Sequence, residues 1–501
     1  MKKPTLFQSL IPIFVLIGLI VLNIIKGGDT LDGSNQLSML LAAFVTGIIA
    51  IYNKVPWQIL IDKISSTLAS VVPSILILMM VGALSGAWMA AGVIPTMIYY
   101  GLDLLRPEIF LPATVIITAI ISVATGSSWS TVATIGVALI GIGDTLGFSP
   151  AMSAGAIISG AYFGDKISPL SDTTNLAASV AKVDLFEHIK FMLKTTIPSI
   201  LITIVIFLLF GLNKETVASA ESITEFKTQI TSIYNINIAL ILIPIIVVVL
   251  IVKKVPSIPV LMIGALLGII TAGVFQQDFL IQLNGNISLK WNDYYNILTH
   301  IMYGETNVTF GTPVVNELLS TGGIAGMMNT IWLIIAAMIY GGILEAGHFL
   351  NTITENILKY VKSRPAMVAA TSGTCVLSNL TTSDQYISII LPGKMFGLAY
   401  EKKKYDPALL SRTLEDSATV TSVLIPWNTC GATQATILGV ATFAYFPFAI
   451  FCWLSPLMTI LLSIFNISQK RKGNDPAYVP LASEPLSPAD LPANSEETQR
   501  K

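Results

Sequence analysis

The sequence predicts an all-α polytopic membrane protein built as two inverted repeats, each with five transmembrane helices plus one re-entrant hairpin, and with broken helices at the midplane. Three observations predict it. Of 501 residues, 53% are hydrophobic and only 11% charged, with a mean hydropathy of +0.74; an ordinary soluble domain carries roughly a quarter charged residues. Ten apolar runs approach the roughly 20 residues needed to cross about 30 Å of hydrocarbon. Basic residues alternate between successive loops, gathering on one side as cytoplasmic loops do.

The runs lie near residues 8–26, 37–53, 70–92, 150–181, 195–212, 235–252, 258–277, 323–347, 411–440 and 441–466. The first follows Lys2 and Lys3 but is long and lacks an Ala-x-Ala cleavage pattern, so it is a span and not a signal peptide. Stretches 109–146 and 366–398 are apolar at both ends and hydroxyl-rich between, which a lipid-facing helix does not tolerate; they are expected to be the hairpins. Inside loops then carry Lys2, Lys3, Lys54, Lys63, Lys182, Lys190, Lys194, Lys253, Lys254, Lys359, Lys362, Arg364 and Lys402 to Lys404, whereas 27–36 outside has no basic residue. The alternation holds only if each hairpin returns to the side it entered, which puts both termini in the cytoplasm.

Residues 1–212 form the first repeat, 213–234 an external linker and 235–467 the second repeat, with an external insertion at 278–322. An odd number of crossings separates equivalent elements, so the halves are inverted. Gly86, Ala91 and Gly92 precede Gly341, Ala346 and Gly347 by 255 residues; Thr125 and Ser127 precede Thr381 and Ser383 by 256; Pro169 precedes Pro426 by 257. Inverted repeats with interrupted helices are the architecture of secondary transporters. The tail 468–501, with Pro476, Pro480, Pro485, Pro488 and Pro492 and no apolar period, is expected to be disordered in the cytoplasm.

Nearly balanced charge totals, 28 Lys and Arg against 29 Asp and Glu for a net charge of -1, leave no basic field for nucleic acid. Cys375, Cys430 and Cys452 sit in apolar runs as small core residues rather than as a disulfide or zinc framework. His188, His300 and His348 lack metal-ligand spacing, and Gly82/Gly86 and Gly264/Gly268 suit close helix packing. No Walker A, H-E-x-x-H or G-x-S-x-G string supports nucleotide-driven pumping or hydrolysis, so no enzyme and no cofactor is expected. Gly141-Ile142-Gly143-Asp144 spells the G-x-G-D of intramembrane proteases, but its partner Tyr405-Asp406 lies in a charged loop.

The candidate chemistry lies in polar blocks within the apolar runs. Residues 122–136 carry seven hydroxyls around Gly126, where Ser127 and Ser128 suit a cation ligand set or, at a helix N-terminus, an anion. The block recurs at Asn379, Thr381, Thr382, Ser383 and Asp384. In the fourth span, Asp165, Lys166, Pro169, Asp172, Thr173 and Asn175 fall within a dozen residues, and a charge at the bilayer centre costs about 2.5–3.5 kcal/mol. Pro169 breaks the helix there. The alternative for Asp165 is a structural pair with Lys166 near the membrane edge. In the ninth span Glu415 and Asp416 suit the cytoplasmic helix end, while Asn428 and Thr429 after Pro426 lie deeper.

The strings Thr125-Gly126-Ser127-Ser128-Trp129-Ser130-Thr131, Gly164-Asp165-Lys166-Ile167-Ser168-Pro169-Leu170-Ser171-Asp172-Thr173-Thr174-Asn175 and Ile425-Pro426-Trp427-Asn428-Thr429 resemble the NhaC family of bacterial Na⁺/H⁺ antiporters, over about residues 5–470. The resemblance implies an inner-membrane transporter of the ion-transporter superfamily, whose mobile domain slides against a scaffold that often dimerises. Na⁺ and H⁺ are then the transported ions; relatives that carry a small organic anion such as malate or lactate, or an amino acid, supply the alternative. A carboxylate in a low-dielectric site binds Na⁺ and H⁺ in competition. Asp165 and Asp172 are the candidate carboxylates. Ser127, Ser128, Thr173 and Asn175 are the neighbouring ligands, with Na⁺ among Ser127, Ser128, Asp172 and Asn175, and Ser383, Asp384, Asn428 and Thr429 are the second repeat's contribution.

The loop charges predict that cysteines replacing Lys254 and Lys403 label from the cytoplasm with impermeant maleimide, and those replacing Ser34 and Asn286 from outside. Labelling of both sets from one side would break the inverted arrangement.

Overall fold

Described in the computed structural model are residues 2–25, 33–212, 220–284, 290–306, 316 and 320–465. Among them the regular elements are helices, with one isolated antiparallel bridge between Thr306 and Thr321. The expected tail, Asn286 and residues 213–219 of the expected linker lie outside the described residues.

Seven helices among the described residues are long and apolar enough to cross a membrane, and two bent pairs raise the count to nine. Eight of the ten expected runs fall in these helices and bent pairs, and the other two are divided, as the fourth is expected to be at Pro169. Runs 150–181 and 411–440 are each divided: Pro150–Ile167 is followed by Asp172–Val180, and the stretch from Pro407 to Ser422 by Thr429–Leu438. Run 235–252 is a short span bent by 88° from Ile223–Ile233. Two spans begin earlier than hydropathy places them, as Trp57–Ala90 and Leu185–Leu212. Polar residues carry those first turns: Gln58 donates to Asp62 (2.9 Å), and Asp184 accepts from the amides of Phe186 (3.0 Å) and Glu187 (3.1 Å).

The expected hairpins are helix pairs joined by a left-handed turn. Pro107–Thr125 turns at Gly126 (φ 66°) into the run starting at Ser128, and Arg364–Thr382 turns at Ser383 (φ 59°) into Gln385–Lys402. By length and composition Pro107–Thr125 is itself among the seven candidate spans. The turn fixes Gly126 for two reasons: an added Cβ would meet Leu170 Cβ at 2.6 Å, and the φ suits glycine.

Two stretches repeat one order: a long helix, a left-handed residue (Gly92, φ 75°; His348, φ 57°), a short helix, a hairpin, an interrupted helix and a closing helix. The same hydrogen bonds recur in both. Ser122 donates to Ala161 O (2.6 Å) as Asn379 does to Ala418 O (2.6 Å). Ser127 accepts from Ser130 N (3.1 Å) as Asp384 does from Ile387 N (2.9 Å). Thr125 meets Thr131 (3.2 Å) as Thr382 meets Ser388 (3.3 Å). Each pair lies 257 residues apart, the spacing of Pro169 and Pro426. The identities matched at 256, Thr125 with Thr381 and Ser127 with Ser383, are thus one residue out of register, because the cap geometry and not the residue type defines equivalence.

Across the halves, Trp57–Ala90 packs on Ser257–Phe275, and Ser34–Tyr52 on Met328–Ala346. At the first contact Trp88 Nε1 donates to Gly264 O (3.0 Å), and a Cβ on Gly268 would lie 3.1 Å from Ala87. Gly82 and Gly86 instead face Gly323 and Ile301. Lys2 N donates to Asn53 O (2.8 Å), Lys3 pairs with Glu355 and Lys63 with Glu345, so one end of the bundle gathers loops the charge pattern puts together.

Pro107–Thr125 lies along Pro150–Ile167, where a Cβ on Gly164 would stand 2.6 Å from Ser122 Cβ and 2.8 Å from Val123 N. Gly164→Leu is expected to cost at least about 1–3 kcal/mol by overpacking. Gly397→Leu, where nothing lies within 4 Å, should stay within about 0.5 kcal/mol. Thermal unfolding in detergent checks both, and equal melting of the two variants would contradict the packing.

Candidate functional site

An interrupted helix exposes amides and carbonyls that water cannot reach inside a bundle, so side chains must meet them. At the first break Pro169 supplies no N–H, and Ser168 donates to Val123 O (2.8 Å) while accepting from Leu170 N (3.2 Å). Ser171 caps Asp172–Val180, and Thr174 returns across the gap to Lys166 O (2.9 Å). Asn175 donates to Pro169 O (3.0 Å) and Ser171 O (2.7 Å). Its amide nitrogen is therefore committed to the backbone.

Beside this break the first hairpin presents its turn. Ser127 caps the descending helix, and the next amide, Ser128 N, donates to Asp165 Oδ2 (3.1 Å) together with Ser128 Oγ (2.7 Å). A carboxylate at a helix N-terminus is stabilised by the local dipole. Asp165 opens on a cavity of about 970 Å³ that Ser127, Asp172, Thr173, Asn175, Lys254 and Ser257 also line. Asp172 and Asn175 are exposed to it, whereas Ser128 is buried behind Asp165.

Six expected site residues thus assemble around one cavity, five on its wall and Ser128 behind Asp165. The other four, Ser383, Asp384, Asn428 and Thr429, do not line it. Asp384 caps Gln385–Lys402 through Ile387 N, Ser383 O accepts from Thr429 N (2.8 Å), and Asn428 caps Thr429–Leu438 while donating to Asn379 Oδ1 (3.1 Å). These polar groups hold the second crossing together. The second hairpin reaches the cavity through Gln385 and Tyr386 instead. Sequence reasoning missed them, although the 257-residue spacing sets them opposite Ser128 and Trp129.

A second charged group lies out of water. Lys166, expected beside Asp165 at the membrane edge, is fully buried and pairs with Asp416; it also donates to Ser455 (2.8 Å). Arg412 Nε stands 3.9 Å from the other Asp416 oxygen, with its guanidinium over Phe191. Glu415 and Asp416, expected at the cytoplasmic end, occupy a buried π-helical turn, Glu415–Thr419, eight residues into the span. His188, at the start of its helix, bonds Ser411 (2.8 Å).

The Na⁺/H⁺ antiporter family model matches residues 160–467. The Na⁺/H⁺ antiporter NhaC of Alkalihalophilus pseudofirmus is 37% identical over 93% of this chain and 97% of its own. The chain belongs to the Na⁺/H⁺ antiporter family. The malate-2H⁺/Na⁺-lactate antiporter of Bacillus subtilis is 37% identical over 94% and 96% of the two chains, and the arginine/ornithine antiporter ArcD of Halobacterium salinarum 35% over 92% of each. These relatives are transporters and not enzymes. With its apolar helices, this family member is a multi-pass membrane protein.

Removing one partner of a buried ion pair strands the other. Lys166→Met should destabilise the protein by about 3–5 kcal/mol in detergent melts, and Lys166→Met with Asp416→Asn should recover part of that loss. A single variant as stable as the unmodified protein would show the pair carries no such burden.

Proposed function

We propose that this protein is a secondary active Na⁺/H⁺ antiporter of the bacterial inner membrane, with both termini in the cytoplasm and Na⁺ held at Asp165 and Asp172. One observation carries the reading: a hairpin turn gives two donors to Asp165 at a helix break, beside a cavity that Asp172, Ser127 and Thr173 also line. Buried carboxylates with neighbouring hydroxyls suit a cation that sheds part of its water. The hydrogen bonds recurring 257 residues apart support two repeats, 1–212 and 235–467, and the odd number of crossings between them supports their inversion. Lys254 and Ser257, which line the cavity, belong to a loop assigned to the cytoplasm, which supports a cavity reached from that side. Movement of one repeat against the other exposes the site to the far side.

A second reading draws on the cavity. About 970 Å³ is far more than a bare ion fills, and both Lys254 and Asp172 line it. That supports a small organic anion or amino acid as co-transported cargo, as the names of the malate/lactate and arginine/ornithine relatives imply for those proteins.

In proteoliposomes holding a pH gradient, added Na⁺ should dissipate the gradient, with a Na⁺ affinity that weakens as pH falls. Asp172→Asn and Asp165→Asn should abolish the response, and Ser128→Ala should weaken Na⁺ binding while keeping its pH dependence. Asp165→Asn is expected to reach the membrane, since Lys166 pairs elsewhere. A response that requires malate, lactate, arginine or ornithine would replace the simple exchanger with the solute-coupled reading.

A further inference from the structure

We infer that Glu415 is the proton-carrying group of this transporter, linked to the cation cavity by the hydroxyls of Thr173 and Ser171. The inference rests on the exchanger reading and adds which group takes the proton.

Glu415 is fully buried, and Thr173 Oγ1 donates to its Oε1 (3.0 Å). Among the described residues its Oε2 has no hydrogen-bond partner. An unmade hydrogen bond on a buried carboxyl costs stability, and such groups are few in native structures. Among the same residues its neighbour Asp416 also has one oxygen without a hydrogen bond, but differs in its charge partners: Lys166 holds one oxygen and Arg412 stands 3.9 Å from the other. Asp165 accepts two donors from Ser128 on one oxygen. Of these three carboxyl groups, Glu415 can gain or lose a proton without parting an ion pair or leaving the hairpin turn unbonded.

Other titratable groups on the surrounding elements are Asp165 and Lys166 at the end of one half-helix, Asp172 at the start of the next, and His188 bonded to Ser411. Arg412 and Asp416 lie on its own stretch, and Cys375, Tyr400 and Cys452 are buried on the second hairpin and the closing helix. Within the dry group, Lys166 and Arg412 bring two positive charges against one on Asp416. Ionised Glu415 balances the remainder. Protonated Glu415 leaves a net positive charge beside the break, which opposes Na⁺ at Asp165 without occupying a Na⁺ ligand.

A route for the proton is in place. Ser171 Oγ and Thr173 Oγ1 are 3.1 Å apart, and both residues line the cavity. Thr173 passes its hydroxyl proton to Glu415, Ser171 refills Thr173, and cavity water refills Ser171. Only O–H bonds break and form, and one proton leaves water for each that reaches the carboxylate. By reciprocity, Na⁺ at the cavity favours loss of the proton from Glu415, which is the coupling an exchanger needs.

The test uses the full protein in proteoliposomes, with labelled-Na⁺ exchange, Na⁺-driven proton movement and the pH dependence of Na⁺ affinity read in parallel. With one competing proton, the unmodified protein should lose about tenfold in Na⁺ affinity per pH unit of acidification. Glu415→Gln should flatten this to less than about twofold and stop Na⁺-driven proton movement while labelled Na⁺ still exchanges; Glu415→Asp should restore the slope. Thr173→Val should slow the proton arm, and Thr173→Ser should rescue it. A Glu415→Gln protein that keeps the full pH slope would overturn the inference, placing the proton on Asp165 or Asp172. Loss of labelled-Na⁺ exchange in both Glu415 variants at normal membrane levels would also overturn it, making Glu415 part of the Na⁺ site. If Glu415→Gln fails to reach the membrane, unchanged proton movement in Thr173→Val overturns the relay. An unmodified protein whose Na⁺ flux moves no protons would remove the exchanger reading, and this inference with it.

Discussion

Two helices are interrupted inside the bundle, and the backbone groups freed there need partners that hydrocarbon cannot supply. The hairpin turns meet that demand. Around the first break Ser168, Ser171, Thr174 and Asn175 bond the freed backbone. Around the second, Asn428 caps the resumed helix, Trp427 Nε1 donates to Leu380 O (2.8 Å) and Tyr445 donates to Val423 O (2.7 Å). Most of the polar residues that stand out in these apolar runs serve the backbone. The remainder is charged: Asp165, Asp172 and Glu415, and the buried group of Lys166, Arg412 and Asp416.

Consecutive residues on a helix point about 100° apart, so Asp165 and Lys166 look in different directions. Asp165 turns to the hairpin and the cavity, whereas Lys166 turns to Asp416, Ser455 and the ring of Phe451. One helix end thereby divides the charge into a wet zone and a dry zone, and Thr173 bridges them. It lines the cavity and also bonds Glu415. The π-helical turn matters to the dry zone, since it lets Glu415 and Asp416, adjacent in the chain, both lie buried.

Glycine decides how closely the elements approach. Gly126 admits Leu170 against the hairpin turn, Gly164 admits Ser122, and Gly268 admits Ala87 of the facing half. Each is a place where a methyl group would push a helix away, and the first two lie directly beside the break. The site is therefore fixed by contacts made at near-backbone distance, between elements that are themselves rigid.

By itself the sequence determined the membrane class, the family and the break at Pro169, and it picked out the two helix-turn-helix stretches and six residues that gather at one cavity, because each is written in a local signal: hydropathy, hydroxyls beside glycine, a proline among polar residues. Only the tertiary structure decided the rest. Span 411–440 looks continuous in hydropathy, and that its backbone stops after Ser422 and resumes at Thr429 is not written there, since composition does not register a missing hydrogen bond. Ser383, Asp384, Asn428 and Thr429 read in sequence as ligands, and the structure shows caps and backbone contacts away from the cavity, because the same side-chain oxygen suits a cation or an amide and only its neighbours choose. Lys166 with Asp416 and Thr173 with Glu415 join residues 250 and 242 positions apart, distances over which no local pattern carries information. Burial then decides their energetics, since charges removed from water must find partners wherever the fold brings them.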